Sequence, residues 1–203
     1  MAIFGPFTAV DHPVRVILTD DPLRAKMLAA HHLDCAALEY EQEDVLLFFG
    51  SYKEHPIALV STGFGQGAIL DYINDAKRFG VQEILYIGEC VSTSRDYAVR
   101  SVILADGGDH SLTARARVVA AVLNSPAVLA HVFPENNIKD DLDGVTDAVT
   151  ADFYALTEAS GIAALSVLTV TENTASGEKM EEHERRSRLY AAARLVFDIF
   201  ALS

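Results

Sequence analysis

Val14–Thr19 reads VRVILT and runs without a break into Asp20-Asp21-Pro22-Leu23-Arg24-Ala25-Lys26. The first six residues are mostly apolar and β-branched, the composition of a short strand. The acidic pair and the proline mark a helix start. A carboxylate caps free amides there, and proline is tolerated in a first turn, where the amide has no helical partner. A helix over Leu23–His32 follows. The chain thus opens as strand, tight turn and helix, and the rest repeats that alternation.

Val45–Tyr52 and Ile57–Thr62 are expected strands on either side of the polar turn Lys53–His55. Gly63-Phe64-Gly65-Gln66-Gly67 then leads into a helix over Ala68–Phe79, with Ile69, Ile73 and Ala76 on one stripe and Gly80 to close it. Glu83–Gly88 and Val99–Ala105 read as strands, with a helix near Leu112–Leu123 after the loop Asp106–Asp109. Pro134–Gly144 (PENNIKDDLDG) is polar and turn-rich and is expected to be a mobile loop. A helix over Val149–Ser160 should stop at Gly161, before the apolar strand Ile162–Thr171. One last helix over Glu181–Ala201 would place Leu189, Ala193, Val196 and Phe200 on one side. The prediction is an α/β fold, a three-layer sandwich of helices on both faces of a central mixed sheet, as one domain over residues 1–203.

Bulk properties exclude several functions. With 29 acidic against 16 basic residues the net charge is −13, a field that opposes any polyanion, so no nucleic-acid partner is expected. No run of eighteen apolar residues exists, so no transmembrane helix is expected, and the N-terminus lacks the pattern of a signal peptide. Two cysteines, Cys35 and Cys90, are too few for a disulfide framework and suit the cytoplasm. The seven histidines show no metal-ligand spacing, and neither a metal nor a cofactor is expected.

Chemistry in such folds gathers beyond the carboxyl ends of strands. Three of those ends carry unusual residues: Thr19–Arg24, Ser61–Gly67 and Gly88–Ser92. The GFGQG cluster is neither a dinucleotide fingerprint nor a P-loop. Glycine there serves a tight strand-to-helix turn, or its amides, Gly65 among them, receive an anion or a sugar at the helix N-terminus.

Taken in order, TDDPLRAK (Thr19–Lys26), VSTGFGQG (Val60–Gly67), LYIGECVS (Leu85–Ser92), TADFYALTEASGI (Thr150–Ile162) and LTVTENTASGE (Leu168–Glu178) resemble the nucleoside phosphorylase family. The type is that of the purine and uridine phosphorylases, which also contains nucleosidases. The family pattern runs GDPxR, TGMG, RVGTCG, VEMEAA and TVSDN, then an ERQ-like stretch, and the resemblance covers about residues 13–200. It implies a phosphorylase/hydrolase-like α/β fold, cleavage of the N-glycosidic bond of a nucleoside, and a homodimer or higher homo-oligomer. The apolar stretch Val45–Phe49 (VLLFF), long for a solvent-facing edge strand, also favours a homo-oligomer.

At the base end the resemblance makes Glu172, in TEN, the general acid, and Arg185, in HERR, its neighbour thirteen positions on. A departing purine carries negative charge, so a proton donor there lowers the barrier. The region around Phe133 would close that pocket. At the other end Arg24 matches the phosphate-binding arginine of GDPxR, but Asp20 replaces its glycine. Tyr86 stands for the arginine of RVGTCG, Glu89 for its threonine and Val91 for its last glycine, while Cys90 is kept. Val149 replaces the ribose-binding glutamate of VEMEAA, with Asp147 at the first glutamate and Ala148 at the methionine. Glu43 stands where the family takes an arginine from a neighbouring subunit.

A phosphate oxygen about 4 Å from a carboxylate is disfavoured by about 4 kcal/mol at an effective dielectric near 20. That is roughly three decades of affinity. With Asp20 and Glu89 both near Arg24, weak or absent binding of inorganic phosphate is expected. Three functions stay open: a divergent phosphorylase, a nucleosidase in which Asp20 or Glu89 activates water, and a nucleoside- or base-binding protein without chemistry.

Overall fold

A computed structural model describes residues 12–63, 66–125, 127–135, 143–187 and 190–202. The opening stretch folds as its composition dictates. Strand β1 (Arg15–Thr19) leads into helix α1 (Pro22–His32), whose N-cap is Asp21. The Asp21 carboxylate accepts from the amides of Leu23 (2.8 Å) and Arg24 (3.3 Å), and Pro22 fills the first helical position. Next come β2 (Asp34–Gln42), β3 (Val45–Tyr52), β4 (His55–Thr62), α2 (Gln66–Arg78), β5 (Glu83–Ser92), β6 (Val102–Ala105) and α3 (His110–Val122). The chain continues through β7 (Ala127–Ala130), β8 (Val132–Pro134), β9 (Val145–Asp147), α4 (Thr150–Ser160) and β10 (Ala163–Asn173). It ends with β11 (Glu178–Lys179), α5 (Glu182–Ser187) and α6 (Tyr190–Ala201).

The strands form one mixed sheet in the order β2-β3-β4-β1-β5-β10-β6-β7, with β8, β9 and β11 attached beside it. Its centre, β4-β1-β5-β10, is parallel, whereas β2, β3 and β4 pair antiparallel and β6 runs against β10. Alternation along the central strands feeds two cores, as a sheet covered on both faces requires. Val16, Leu18, Ile84, Tyr86, Leu168 and Val170 face α2 and α4, where Tyr72, Ile73 and Phe153 pack. Ile17, Leu85, Ile87, Leu165 and Val167 face α1, α3 and α6, against Leu28, Leu112, Val196 and Phe200. The result is a three-layer α/β sandwich around a mixed sheet. No helix of the described residues is long and apolar enough to cross a membrane.

Several expectations need correction. Val45–Phe49 is not an edge: β3 lies between β2 and β4, and β2 is the outer strand, exposed along almost its whole length. Asp34, Glu39 and Glu41 give β2 the charge that protects an edge. The strand expected from Val99 begins only at Val102, because Arg100 takes a left-handed conformation (φ 78°) and bends the chain. Of the helix expected over Glu181–Ala201, the stretches Glu182–Ser187 and Tyr190–Ala201 are helical, and residues 188–189, including Leu189, lie outside the described residues. Residues 136–142 of the expected loop lie outside them too. Gly161 does end α4, at φ 70°.

Candidate functional site

The carboxyl ends of β1 and β5 open into a cleft of about 440 Å³. A cavity of about 500 Å³ beside His12, Arg15 and Glu83 sits at the opposite, amino ends of the strands. The first is the better site, because parallel strands present ligands with the helix N-termini that follow their carboxyl ends.

Arg24, in the first turn of α1, points back under the cleft and is 8% exposed. Its Nη1 donates to Thr19 Oγ1 (3.1 Å) and Asp20 Oδ1 (3.0 Å), and its Nη2 to Glu89 Oε1 (2.5 Å). Its Nε is buried with no hydrogen-bond partner among the described residues. The second oxygen of Glu89 accepts from Arg185 on α5, from Nε at 2.9 Å and also from Nη2. One carboxylate on β5 is therefore held between guanidinium groups from α1 and α5. These are charge-assisted bonds, the stronger class of hydrogen bond.

Six carboxylates line the cleft, Asp20, Asp21, Glu89, Glu135, Asp147 and Glu182, against the two arginines, a formal −4. Burial raises the Asp20 carboxyl from its ordinary value, while Arg24 works in the opposite direction. Burial likewise raises Asp147, although the amide and hydroxyl of Thr150 donate to it (3.0 and 2.8 Å). Tyr86 is pushed up by burial and then by Asp20 and Asp147, so it stays a neutral phenol. Its ring lies along the strand beside Gly88, where a Cβ would stand 2.5–2.7 Å from ring and hydroxyl atoms. Ala148 and Val149 supply apolar wall.

The structure gathers part of the predicted set. Asp20, Arg24, Glu89, Val149 and Arg185 share the cleft. Glu172 is elsewhere: it pairs across the β10–β11 hairpin with Lys179 (2.6 Å) and does not meet Arg185. Cys90 is buried in the core towards α2 and α4, its thiol pushed well up by burial. Phe133 packs edge-on to His131 and over Gly144, two residues before Glu135 of the cleft lining. Gly65 lies outside the described residues.

Sequence spacing misses two groups that order the chain around α5 and the end of β10. Arg100 grips Glu184 through Nε (2.6 Å) and Nη2 (2.8 Å), and Glu178 through Nη1 (2.6 Å). It thus ties α5, next to Arg185, to the β11 hairpin. Asn173, quoted above within TEN, is buried and donates to the carbonyls of Ser94 (2.7 Å) and Tyr97 (2.8 Å). The invariable need of a buried amide for partners was the available signal for it.

No protein-family model matches the chain. Individual relatives do. It is 30% identical over 204 aligned positions to the DeoD-type purine nucleoside phosphorylase of Geobacillus sp. (strain WCH70), covering 85% of this chain and 87% of the relative. The protein of that name from Limosilactobacillus reuteri (strain DSM 20016) is 30% identical, covering 86% and 88%. That of Bacillus subtilis (strain 168) is 27% identical, with the same coverage. At that identity, over that much of both chains, this protein belongs to the nucleoside phosphorylase family.

Proposed function

We propose that the protein cleaves the N-glycosidic bond of a nucleoside, as a divergent phosphorylase-like enzyme of nucleoside metabolism. The observation that carries this is the convergence of Arg24, Glu89, Val149 and Arg185 on one cleft at the carboxyl ends of β1 and β5. Those are the positions to which the family resemblance assigns the substrate. The relatives' shared name supports the same reaction class. In this reading Ala148 and Val149 lie against the apolar faces of sugar or base. The family resemblance makes Glu172 the proton donor to the leaving base, although in this structure it pairs with Lys179 outside the cleft lining.

The test is release of free base from a panel of purine and pyrimidine nucleosides, with and without phosphate. Glu172→Gln should lower the turnover number by about 10²–10⁴-fold, the usual worth of a general acid, with folding unchanged. Equal turnover in the variant removes Glu172 from the role. No base release anywhere in the panel, with nucleoside binding retained, makes this a binding protein instead.

We also read the chain as one domain that works in the cytoplasm as at least a homodimer. Its free cysteines, Cys35 and Cys90, support the compartment. The dimer rests on the family resemblance and not on β2, whose charges guard its edge. Sedimentation giving a 22 kDa species at micromolar concentration would contradict the latter.

A further inference from the structure

We propose that Glu89 is the specificity-determining residue of the cleft: its carboxylate is a built-in anion that fills the subsite between Arg24 and Arg185 and so excludes inorganic phosphate. This rests on the proposed nucleoside-cleaving function only for its consequence in turnover, not for the exclusion itself.

The geometry is that of an occupied anion site. Each oxygen of Glu89 serves a different arginine, Oε1 the buried Arg24 and Oε2 the half-exposed Arg185. Two guanidinium groups converging from separate helices on one three-atom anion would suit two oxygens of a phosphate equally well. Asp20 takes the remaining Nη of Arg24 at 3.0 Å, leaving no terminal nitrogen of that guanidinium without a carboxylate. Inorganic phosphate would have to displace Glu89 from two cations at once and then sit among the six carboxylates of the lining. A neutral nucleoside meets no such opposition.

If phosphate cannot enter, the acceptor of the glycosyl group is water. The C1′–N bond breaks and its electron pair leaves with the base, which takes up a proton. The water oxygen bonds to C1′ and gives its proton to a carboxylate of the cleft. Asp20 is placed for that, since Glu89 is committed to two arginines. Nothing is oxidised or reduced, and no further reactant is needed.

The test is calorimetric titration of the full chain with inorganic phosphate at matched ionic strength. Wild type should show no binding tighter than about 100 μM. Glu89→Gln keeps the side-chain shape, removes the charge and should gain on the order of 10²-fold in phosphate affinity. Adding Arg24→Ala to that variant should abolish the gain. Asp20→Asn, a second variant should Glu89→Gln fail to fold, should gain by a smaller factor. A wild-type dissociation constant below about 100 μM, a folded Glu89→Gln no better than wild type, or a gain that survives Arg24→Ala would each overturn the proposal. Product analysis separates it from the functional reading. Wild type should release free sugar at a rate independent of phosphate, and sugar 1-phosphate from wild type would overturn the exclusion. If no nucleoside is cleaved, the functional reading fails while the phosphate titrations still decide the role of Glu89.

Discussion

Two carboxylates in this chain each hold a cation, and the settings differ in almost every respect. Glu89, 19% exposed, lies on a central strand and joins a buried arginine, Arg24, and a half-exposed one, Arg185, from two helices. Glu172 stands near the end of β10, 36% exposed, and meets Lys179, itself 61% exposed, across a short hairpin. The chemistry is alike, but the surroundings set its worth. An exposed pair exchanges water for a flexible partner at little net gain. Where the partner is buried, loss of one member strands the other without solvation. A sequence spacing reports neither condition.

The comparison breaks most plainly on the two cations. Arg24→Ala leaves Asp20 and Glu89 facing each other in a part-buried site and should cost about 3 kcal/mol of stability. Lys179→Ala removes an exposed partner and should cost under about 1 kcal/mol. Urea unfolding of both variants is the measurement. Similar losses would mean that the cleft network carries no more weight than the hairpin pair.

A smaller effect tests how the cleft wall was remodelled around the tyrosine. Gly88 is next but one to Tyr86 on β5, and its missing Cβ leaves the space through which the buried ring passes. Gly88→Ala should cost about 1–3 kcal/mol through overpacking. Adding Tyr86→Ala should return part of that loss, because the obstructing ring is gone. If the two losses simply add, the ring is not what the glycine accommodates.

The same contrast separates what sequence could tell from what it could not. The turn Asp20–Arg24 was legible because capping and proline act within a few residues. The central strands were legible because burial on both faces demands apolar runs. Strand β2 was not: a left-handed Cys35 (φ 53°) and two register shifts against β3 break its alternation, and its charges suit its exposed edge. Asp20, Arg24 and Glu89 could be placed near one another from the ordered motifs. The bond from Arg185 to Glu89 spans 96 positions, and nothing in the chain between them encodes it. The thirteen-residue interval from Glu172 to Arg185 suggested a different partner. The tight β10–β11 hairpin gave Glu172 a nearer one.

The smallest effect concerns Asp147, a buried carboxyl of the cleft lining. Burial raises its pKa in the folded protein, against the pull of the Thr150 amide and hydroxyl. The folded state therefore keeps this proton to higher pH than the unfolded chain, in which an aspartate titrates near about 3.9. Between those two points the folded state binds more protons, so stability falls as pH rises. The contribution is fully present below about pH 4, the unfolded value, and is lost as pH rises through the raised folded value. Asp147→Asn removes the titration and keeps an oxygen that can accept from Thr150. The variant should therefore gain on wild type as pH is raised from about 4 towards 7, by a margin read from urea midpoints at each pH. A difference that stays constant across that range would show that Asp147 titrates alike in both states. A difference that shrinks with rising pH would mean that the Thr150 bonds outweigh burial.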